Sequence, residues 1–394
     1  MKTITLKPNK DHAIRQGHPW VFSGAIKEVE EGIKDGELVL LENFAHDSLG
    51  VGYYNSKTSI AIRLLSFDSR AKIDVGFFQK RVQELKDLKE TFIPQSETNA
   101  YRVVNAEGDN LPGLTVDKYN DVLVVQIHTL GMDKLAHIVI DALNNIFSPR
   151  VIYERSDLAV RRIEGLNDHE VGLRSGKLES NEVEIKEHGL KFVVDFVEGQ
   201  KTGFFLDQRD NRQAIAAYAS DRNCANIFSY SGGFGAYLAR GGAKNVVNVD
   251  ISKRALELAG KNFELNHLPM DPFTFSESDG FDFLEMAVSK NFDLIVLDPP
   301  AFAKSHNNIS NALQAYTKLN ALALKVLPRG GILATSSCSG SISEDQFMKA
   351  IAMAQEKTKT EIRLLEKRAQ PIDHSLNPAF PEGAYLKFFI FVKV

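Results

Sequence analysis

From Gln208 onward the chain alternates apolar runs of strand length with amphipathic runs of helix length, and this rhythm limits the fold more than any other feature. Helix "QRDNRQAIAAYA" precedes strand "NCANIFSYS", and helix "GFGAYLARGG" precedes strand "NVVNVDIS". Helix "KRALELAGKNFELNH" leads to "FTFSES", and "FDFLEMAVSK" leads to "FDLIVLDPP". Helix "NALQAYTKLNALALKVL" leads to "GGILATSSC", and helix "SEDQFMKAIAMAQEK" follows. Strict alternation predicts a parallel, doubly wound α/β sheet with helices on both faces. The last two runs, "EIRLLEK" and "AYLKFFIFVKV", have no helix between them and can pair antiparallel at one edge.

The first half reads differently. Up to about residue 70, short runs such as "ELVLLENF", "LGVGYYN" and "SIAIRLLSF" are punctuated by Gly32, Gly36, Gly50 and Gly52. They predict a small β-barrel. Next come a helix near Val75 to Leu88, the strand "DVLVVQIHT" and the helix "MDKLAHIVIDALNNIF". Two further runs, "RVIYERSD" and "EVEIKEHGLKFVVDF", predict strands, the second folding back at His188-Gly189. Three domains are expected: 1–72, a β-barrel; 73–188, an α+β middle domain; and 189–394, the doubly wound sheet.

Composition narrows the class. No run reaches the ~18 apolar residues of a membrane span. The start, "MKTITLKPNKDHAIRQGHPW", lacks the apolar centre of a signal peptide. The two cysteines make neither a disulfide framework nor a metal-binding pair, so no metal is expected. These features predict a cytoplasmic protein without a membrane partner. Net charge is −4, a weak argument against nucleic acid, since 47 Lys and Arg leave room for local basic patches.

On a doubly wound sheet the ligand sits beyond the carboxyl ends of the strands. After the first strand comes "SYSGGFG", where Gly232 and Gly233 permit a tight turn and close backbone approach at a helix start. It is neither a dinucleotide GxGxxG nor a phosphate loop. After the second comes Asp250, suited to a ribose diol, with helix capping as the plainer alternative and Ser252 available for that task. After the third comes Asp279, placed to accept from an adenine amino group. After the fourth come Asp298, Pro299 and Pro300, whose extended backbone leaves carbonyls free to face the cleft. Each signal alone is weak; in register after four consecutive strands they indicate a nucleoside-bearing cofactor.

"HPWVFSGAI", "VVNAEGDNLPGLTVDKY", "GQKTGFFLDQRDNR", "FSYSGGFG", "DPPAFAKS" and "SSCSGS" occur in that order. Together they resemble the bacterial 23S rRNA cytosine-5 methyltransferases that carry an N-terminal PUA domain, and the resemblance spans nearly the whole chain. It implies a class I, Rossmann-like, seven-stranded sheet of order 3-2-1-4-5-7-6, a PUA RNA-binding barrel before it, and S-adenosyl-L-methionine as cofactor. Carried over by position, Phe228, Ser229, Tyr230, Ser231, Gly232, Gly233 and Phe234 would cradle the methionine part. Asp250 would hold the ribose and Ile251 flank the adenine, while Asp279, Gly280 and Phe281 read the adenine edge. Gln208 and Arg209 would bind the cofactor carboxylate. Pro299, Pro300, Phe302 and Lys201 would face the substrate, with a solvated hairpin lysine the plain alternative for Lys201.

Cys338 would be the nucleophile and Asp298 its partner at the cytosine. Taken alone, a free cysteine is most often a buried hydrophobe. In that sheet order, however, strands 4 and 5 are neighbours, so Asp298 and Cys338 would flank one cleft. Carbon 5 of cytosine is a poor nucleophile until a thiolate adds at carbon 6 and makes an enamine. Helix amides after "SCSGS" could favour the thiolate. Cys224, at a strand start, reads as structural, and Ala301 stands where related RNA enzymes carry a second cysteine. Trp20 and Phe22 could stack on bases, although both also read as core.

Two rivals stay open. An adenine or guanine amino-methyltransferase would use "DPPAF" without a thiol, so Cys338 discriminates against it. A non-catalytic RNA-binding assembly protein would have no need of the intact cofactor positions. The expected partner is RNA, 23S rRNA in particular, and a homodimer is left open.

Overall fold

The structure, a computed structural model, describes all residues except 168–169, 271–273, 288–290 and 304–307. The start of "FTFSES", the end of "FDFLEMAVSK" and the Lys304-Ser305 part of "DPPAFAKS" therefore lie outside the described residues. The chain divides into two compact units. One comprises Met1–Lys186, Val194–Leu206 and Ile372–Gly383; the other comprises Glu187–Val193, Asp207–Pro371 and Ala384–Val394.

The first unit opens with β1 (Lys2–Leu6), α1 (His12–Arg15), β2 (Trp20–Phe22), β3 (Ile26–Val29), β4 (Leu38–Glu42), β5 (Ser48–Tyr54) and β6 (Ile60–Ser66). They form a six-stranded sheet ordered β2-β6-β5-β4-β1-β3. Its two edge strands are consecutive in the chain, joined by the single turn Ser23–Ala25. A flat sheet would hold those edges ~24 Å apart, and so short a joint spans at most ~14 Å. The sheet must therefore curl on itself, as a barrel does.

A second sheet follows, ordered β11-β10-β9-β8-β7. Its elements are α2 (Val75–Phe92), β7 (Ala100–Asn105), β8 (Leu114–Tyr119), β9 (Val122–Ile127), α3 (Leu130–Lys134), α4 (Ala136–Phe147), β10 (Val151–Ser156), α5 (Val160–Glu164) and β11 (Glu170–Gly176). The single helix expected over 132–147 is split at Leu135, whose N–H bonds the Met132 carbonyl in a tighter i to i+3 turn. The two sheets share a core. Val51, Tyr53 and Leu65 pack with Phe78, Val116 and Val139 in one cluster. Tyr53 Oη donates to the Pro112 carbonyl at 2.8 Å. Gly131 is glycine because a Cβ there would come within 2.1 Å of the Tyr53 ring.

The strands β12 (Glu182–Glu187) and β13 (Leu190–Asp195) form the hairpin expected at His188-Gly189, both of which have positive φ. The second unit then runs α6 (Arg209–Ala216), β14 (Asn223–Ile227), α7 (Gly233–Arg240), β15 (Asn245–Asp250), α8 (Lys253–Leu265), β16 (Thr274–Glu277), α9 (Gly280–Met286), β17 (Leu294–Leu297), α10 (Ile309–Val326), β18 (Ile332–Ser337), α11 (Glu344–Thr358), β19 (Ile362–Arg368) and β20 (Lys387–Lys393). The sheet order is β16-β15-β14-β17-β18-β20-β19, which is the expected 3-2-1-4-5-7-6. Strands β17 and β18 are buried along their whole length, as a sheet covered on both faces requires. Strand β20 pairs antiparallel with both β18 and β19.

Candidate active site at the strand ends

The loop after β14 is tightly wound. Phe228, Tyr230 and Gly232 all have positive φ, and Gly232 caps α7. A Cβ on Gly232 would lie 2.8 Å from that of Ala259, so this position needs glycine on both counts. The loop is held by Ser229 N–H to the Val249 carbonyl at 2.9 Å and by Tyr230 N–H to Asp250 Oδ2 at 2.8 Å. The Ser231 carbonyl accepts from Asn262 at 2.8 Å. Gly233 lies over Arg212, which is buried and doubly bonded to the buried Glu187 at 2.8 and 2.7 Å. Among the described residues nothing bonds Ser229 Oγ, although it is buried. An unmatched hydroxyl in a glycine-rich turn suits a polar ligand lying against it. Phe234 contributes only backbone here, since its ring stacks on Phe388 in the core at 5.6 Å.

Asp250 ends β15. Besides Tyr230, it accepts from Ser252 N–H through Oδ1 at 2.9 Å. Ser252 itself caps α8, so the capping alternative for Asp250 does not hold. Each carboxylate oxygen carries one backbone bond and keeps a lone pair for a hydroxyl. The next residue, Ile251, is 73% exposed, an apolar wall with nothing of the chain packed over most of it. Asp279 does cap its helix: Oδ1 accepts from Phe281 and Asp282 N–H groups, so only Oδ2 can serve a ligand. Gly280 is buried against Ile227 and Phe228, each 2.7 Å from where a Cβ would sit. Phe281 meets the Phe228 ring edge-on.

Asp298 lies just past β17. Its Oδ1 accepts from Gln208 Nε2 at 2.8 Å and from Ser336 Oγ. Burial pushes its pKa up to about 6, and the nearby Asp207 carboxylate adds to that, while the Ser336 and Gln208 bonds oppose it. Gln208 thus bonds Asp298 in this structure. Its amide oxygen accepts from Asn211 at 2.7 Å, which orients the amide toward Asp298. Arg209 is buried and pairs with Asp210 at 3.0 Å. Asp207 accepts from Tyr385 Oη at 2.8 Å.

Cys338 follows β18 directly. Strands β17 and β18 are in register at Leu297 and Thr335, which sets Asp298 beside Ser336 and Pro299 near Cys338. The Cys338 thiol donates to the Pro299 carbonyl at 3.9 Å. Pro299 is buried, Pro300 is exposed, and Phe302 packs on Tyr316 at 4.8 Å and on Phe281 at 6.1 Å. The helix amides expected to favour the thiolate begin several residues beyond Cys338. Helix α11 starts at Glu344, and its first turn is closed by a capping box of Ser343 and Gln346. A buried cation stands there instead. Lys387 Nζ donates to the carbonyls of Ser339, Ile342 and Tyr385 at 2.6, 2.7 and 2.8 Å. A cavity of 640 Å³ lies against the same loop, lined in part by Gly340, Ser341, Ile342, Ser343 and Lys387. Of its lining residues only Gly340 and Ser341 fall in a motif singled out in the sequence, "SSCSGS", although a lone lysine inside the apolar run "YLKFFIF" is a readable signal.

The structure thus gathers Gln208, Arg209, the 228–234 loop, Asp250, Ile251, Asp279, Gly280, Phe281, Asp298, Pro299, Pro300, Phe302 and Cys338 in the second unit, at or near the strand ends. Lys201 belongs to the first unit, with its ammonium 4.9 Å over the Phe205 ring, and is not among them. Cys224 is fully buried on β14 and its pKa is pushed up to about 12 by that burial, which makes it inert. In the first unit, Trp20 donates to Glu107 at 3.1 Å and packs on Phe380, while Phe22 is 50% exposed.

Comparison with known proteins bears on this geometry. The PUA-like domain family matches residues 4–67, and the S-adenosylmethionine-dependent methyltransferase family matches residues 164–385. Ribosomal RNA large subunit methyltransferase I of Aeromonas salmonicida (strain A449) is 40% identical over 388 residues, 98% of this chain and 97% of the relative. A solved Streptococcus mutans chain, given as an S-adenosylmethionine-dependent methyltransferase, superposes with a TM-score of 0.85 at 26% identity over 100% of both chains. A methyltransferase solved in complex with SAH superposes with a TM-score of 0.86, also at 26% identity and over 100% of both chains.

Proposed function

The chain belongs to the S-adenosylmethionine-dependent methyltransferases, in the family of ribosomal RNA large subunit methyltransferase I with its PUA-like N-terminal domain, and from that premise we propose that it methylates carbon 5 of a cytosine in 23S rRNA. The observation that carries the carbon-5 reading is the placement of Asp298 and Cys338 just past the ends of the adjacent strands β17 and β18. Amino-group methylation needs no thiol at this place.

In this reading the 228–234 backbone and Ser229 Oγ hold the methionine end of the cofactor, Asp250 takes the ribose hydroxyls, and Ile251, Asp279, Gly280 and Phe281 surround the adenine. Bound there, the cofactor supplies an activated methyl group. The Cys338 thiolate adds to carbon 6 and makes carbon 5 the nucleophile that accepts the methyl. Asp298, with a pKa of about 6, can lend a proton to N3 as the thiolate adds and take it back as the thiolate leaves. Loss of the carbon-5 proton to a water molecule then expels Cys338 as its thiolate and restores the ring. Gln208 and Ser336 fix the carboxyl in place for this. The target base has to leave its stack to reach the cleft.

Residues 1–72 would grip the RNA, with 73–188 as a middle domain and 189–394 as the catalytic domain. The setting would be the cytoplasm, and a homodimer is compatible with this reading. Among the described residues no helix is long and apolar enough to cross a membrane. Bisulfite sequencing of 23S rRNA transcribed in vitro and incubated with the protein and cofactor tests the reading. One new protected cytosine is expected; methyl incorporation without any protected cytosine would refute it.

A further inference from the structure

Lys387 stands out among the buried groups that this mechanism does not use. It lies on β20 opposite Ser337, the last residue of β18, and is 6% exposed. An ammonium has three N–H donors, and here all three go to neutral carbonyls, those of Ser339, Ile342 and Tyr385. Two of the three belong to the loop that follows Cys338. No carboxylate within ion-pair distance neutralises Lys387 among the described residues, so its charge stays available to its surroundings.

We propose that Lys387 is a positioning residue for Cys338: its ammonium ties down the 339–342 loop and presents a fixed positive charge that favours the Cys338 thiolate. The proposal rests on the reading of Cys338 as the nucleophile. The thiol and the ammonium interact electrostatically, the thiolate helping to hold the proton on Lys387. Among the described residues, this neighbourhood also holds a tyrosine and two carboxylic acids, none of them a cation. Tyr316, from α10, is neutral, its pKa pushed up to about 12 by burial. Asp298, past β17, and Glu344, from the first turn of α11, are acidic and oppose a second anion. Glu344 is itself paired with Lys367.

The dependence on pH has a definite sign. Burial pulls the Lys387 pKa down to about 8, so the lysine is charged at neutral pH and loses its proton as pH rises through that value. Its help to the thiolate is therefore full near neutrality and fades above pH ~8, the range in which an ordinary thiol, with a pKa of ~8.5, would only begin to ionise.

The test is the rate of iodoacetamide alkylation of Cys338 against pH, in the full chain without RNA, read by mass spectrometry of the Cys338 peptide. The buried Cys224 serves as internal control. The wild-type midpoint is expected below the ordinary ~8.5. K387M should raise it by about one pH unit, slowing alkylation near pH 7 about ten-fold, while K387R restores most of the rate. Calorimetry with S-adenosylhomocysteine reports whether each variant is folded. A wild-type midpoint at or above 8.5 overturns the proposal without any variant. So does an unchanged midpoint in a K387M protein that still binds S-adenosylhomocysteine. If K387M does not fold, K387R decides against K387Q: equal midpoints in those two overturn the proposal. Methyl transfer by C338A would refute the nucleophile reading separately, because the alkylation profile needs no catalysis.

Discussion

In the proposed mechanism Asp298 is a carboxyl held for chemistry at the expense of stability. Its pKa rises from an ordinary ~3.9 in the unfolded chain to about 6 in the fold. The folded protein therefore binds this proton more tightly, and stability falls as pH rises from ~4 to ~6. D298N keeps an acceptor for Gln208 and Ser336 and removes the buried charge. Its melting temperature should exceed that of wild type at pH 8, and the gap should close below pH ~4, where both side chains are neutral. Methyl transfer should drop by at least about 100-fold, the usual reach of acid–base assistance. A D298N protein that melts lower at pH 8 would contradict the assignment. Asp298 and Cys338 were legible because each ends an apolar run. Gln208, Ser336 and Lys387 act on those two from elsewhere in the chain, and no single run displays that. The register of β17, β18 and β20 brings in Ser336 and Lys387, and the start of α6 brings in Gln208.

Helix α7 meets β15 closely. A Cβ on Gly235 would lie 2.0 Å from Asn248 Oδ1, the atom that accepts from Asn226 across β14 and β15. G235A should cost about 1–3 kcal/mol, the usual range for overpacking, seen as a lower urea midpoint with an unchanged slope. At the end of β15, D250A removes the anchor of Tyr230 and Ser252 together with the ribose acceptor. S-adenosylhomocysteine binding should weaken by at least about 1 kcal/mol, roughly five-fold; equal affinity by calorimetry would take Asp250 out of the site. The parallel strands and their helices were readable because burial on both faces makes each strand a continuous apolar run. Strands β7, β8 and β11 give weaker signals: β7 runs into the motif "VVNAEGDNLPGLTVDKY", β8 lies inside it, and half or more of β11 is solvent-facing.

At the scale of the whole molecule, RNA binding has to come from segregated charge. Residues 1–70 hold nine Lys and Arg against nine Asp and Glu. Affinity for RNA should fall as salt rises. F22A should weaken it by about 1 kcal/mol or more, the scale of one lost base stack, without changing cofactor affinity; the packed Trp20 is the poorer candidate. Anisotropy with labelled RNA reads both. Point variants suit this test better than deletion of the barrel, because Tyr53 and Val51 belong to a core shared with the next sheet. That sharing was hidden in the sequence, where the change of rhythm near residue 70 marks only a change of local structure. The central claim is covalent chemistry at Cys338, and the most direct measurement is trapping on RNA that carries 5-fluorocytosine at the target. Fluorine cannot leave as the carbon-5 proton does, so wild type and C224A should give a denaturation-resistant protein–RNA complex, and C338A should give none while still binding cofactor. Full methyl transfer by C338A, with no adduct in wild type, would contradict the account.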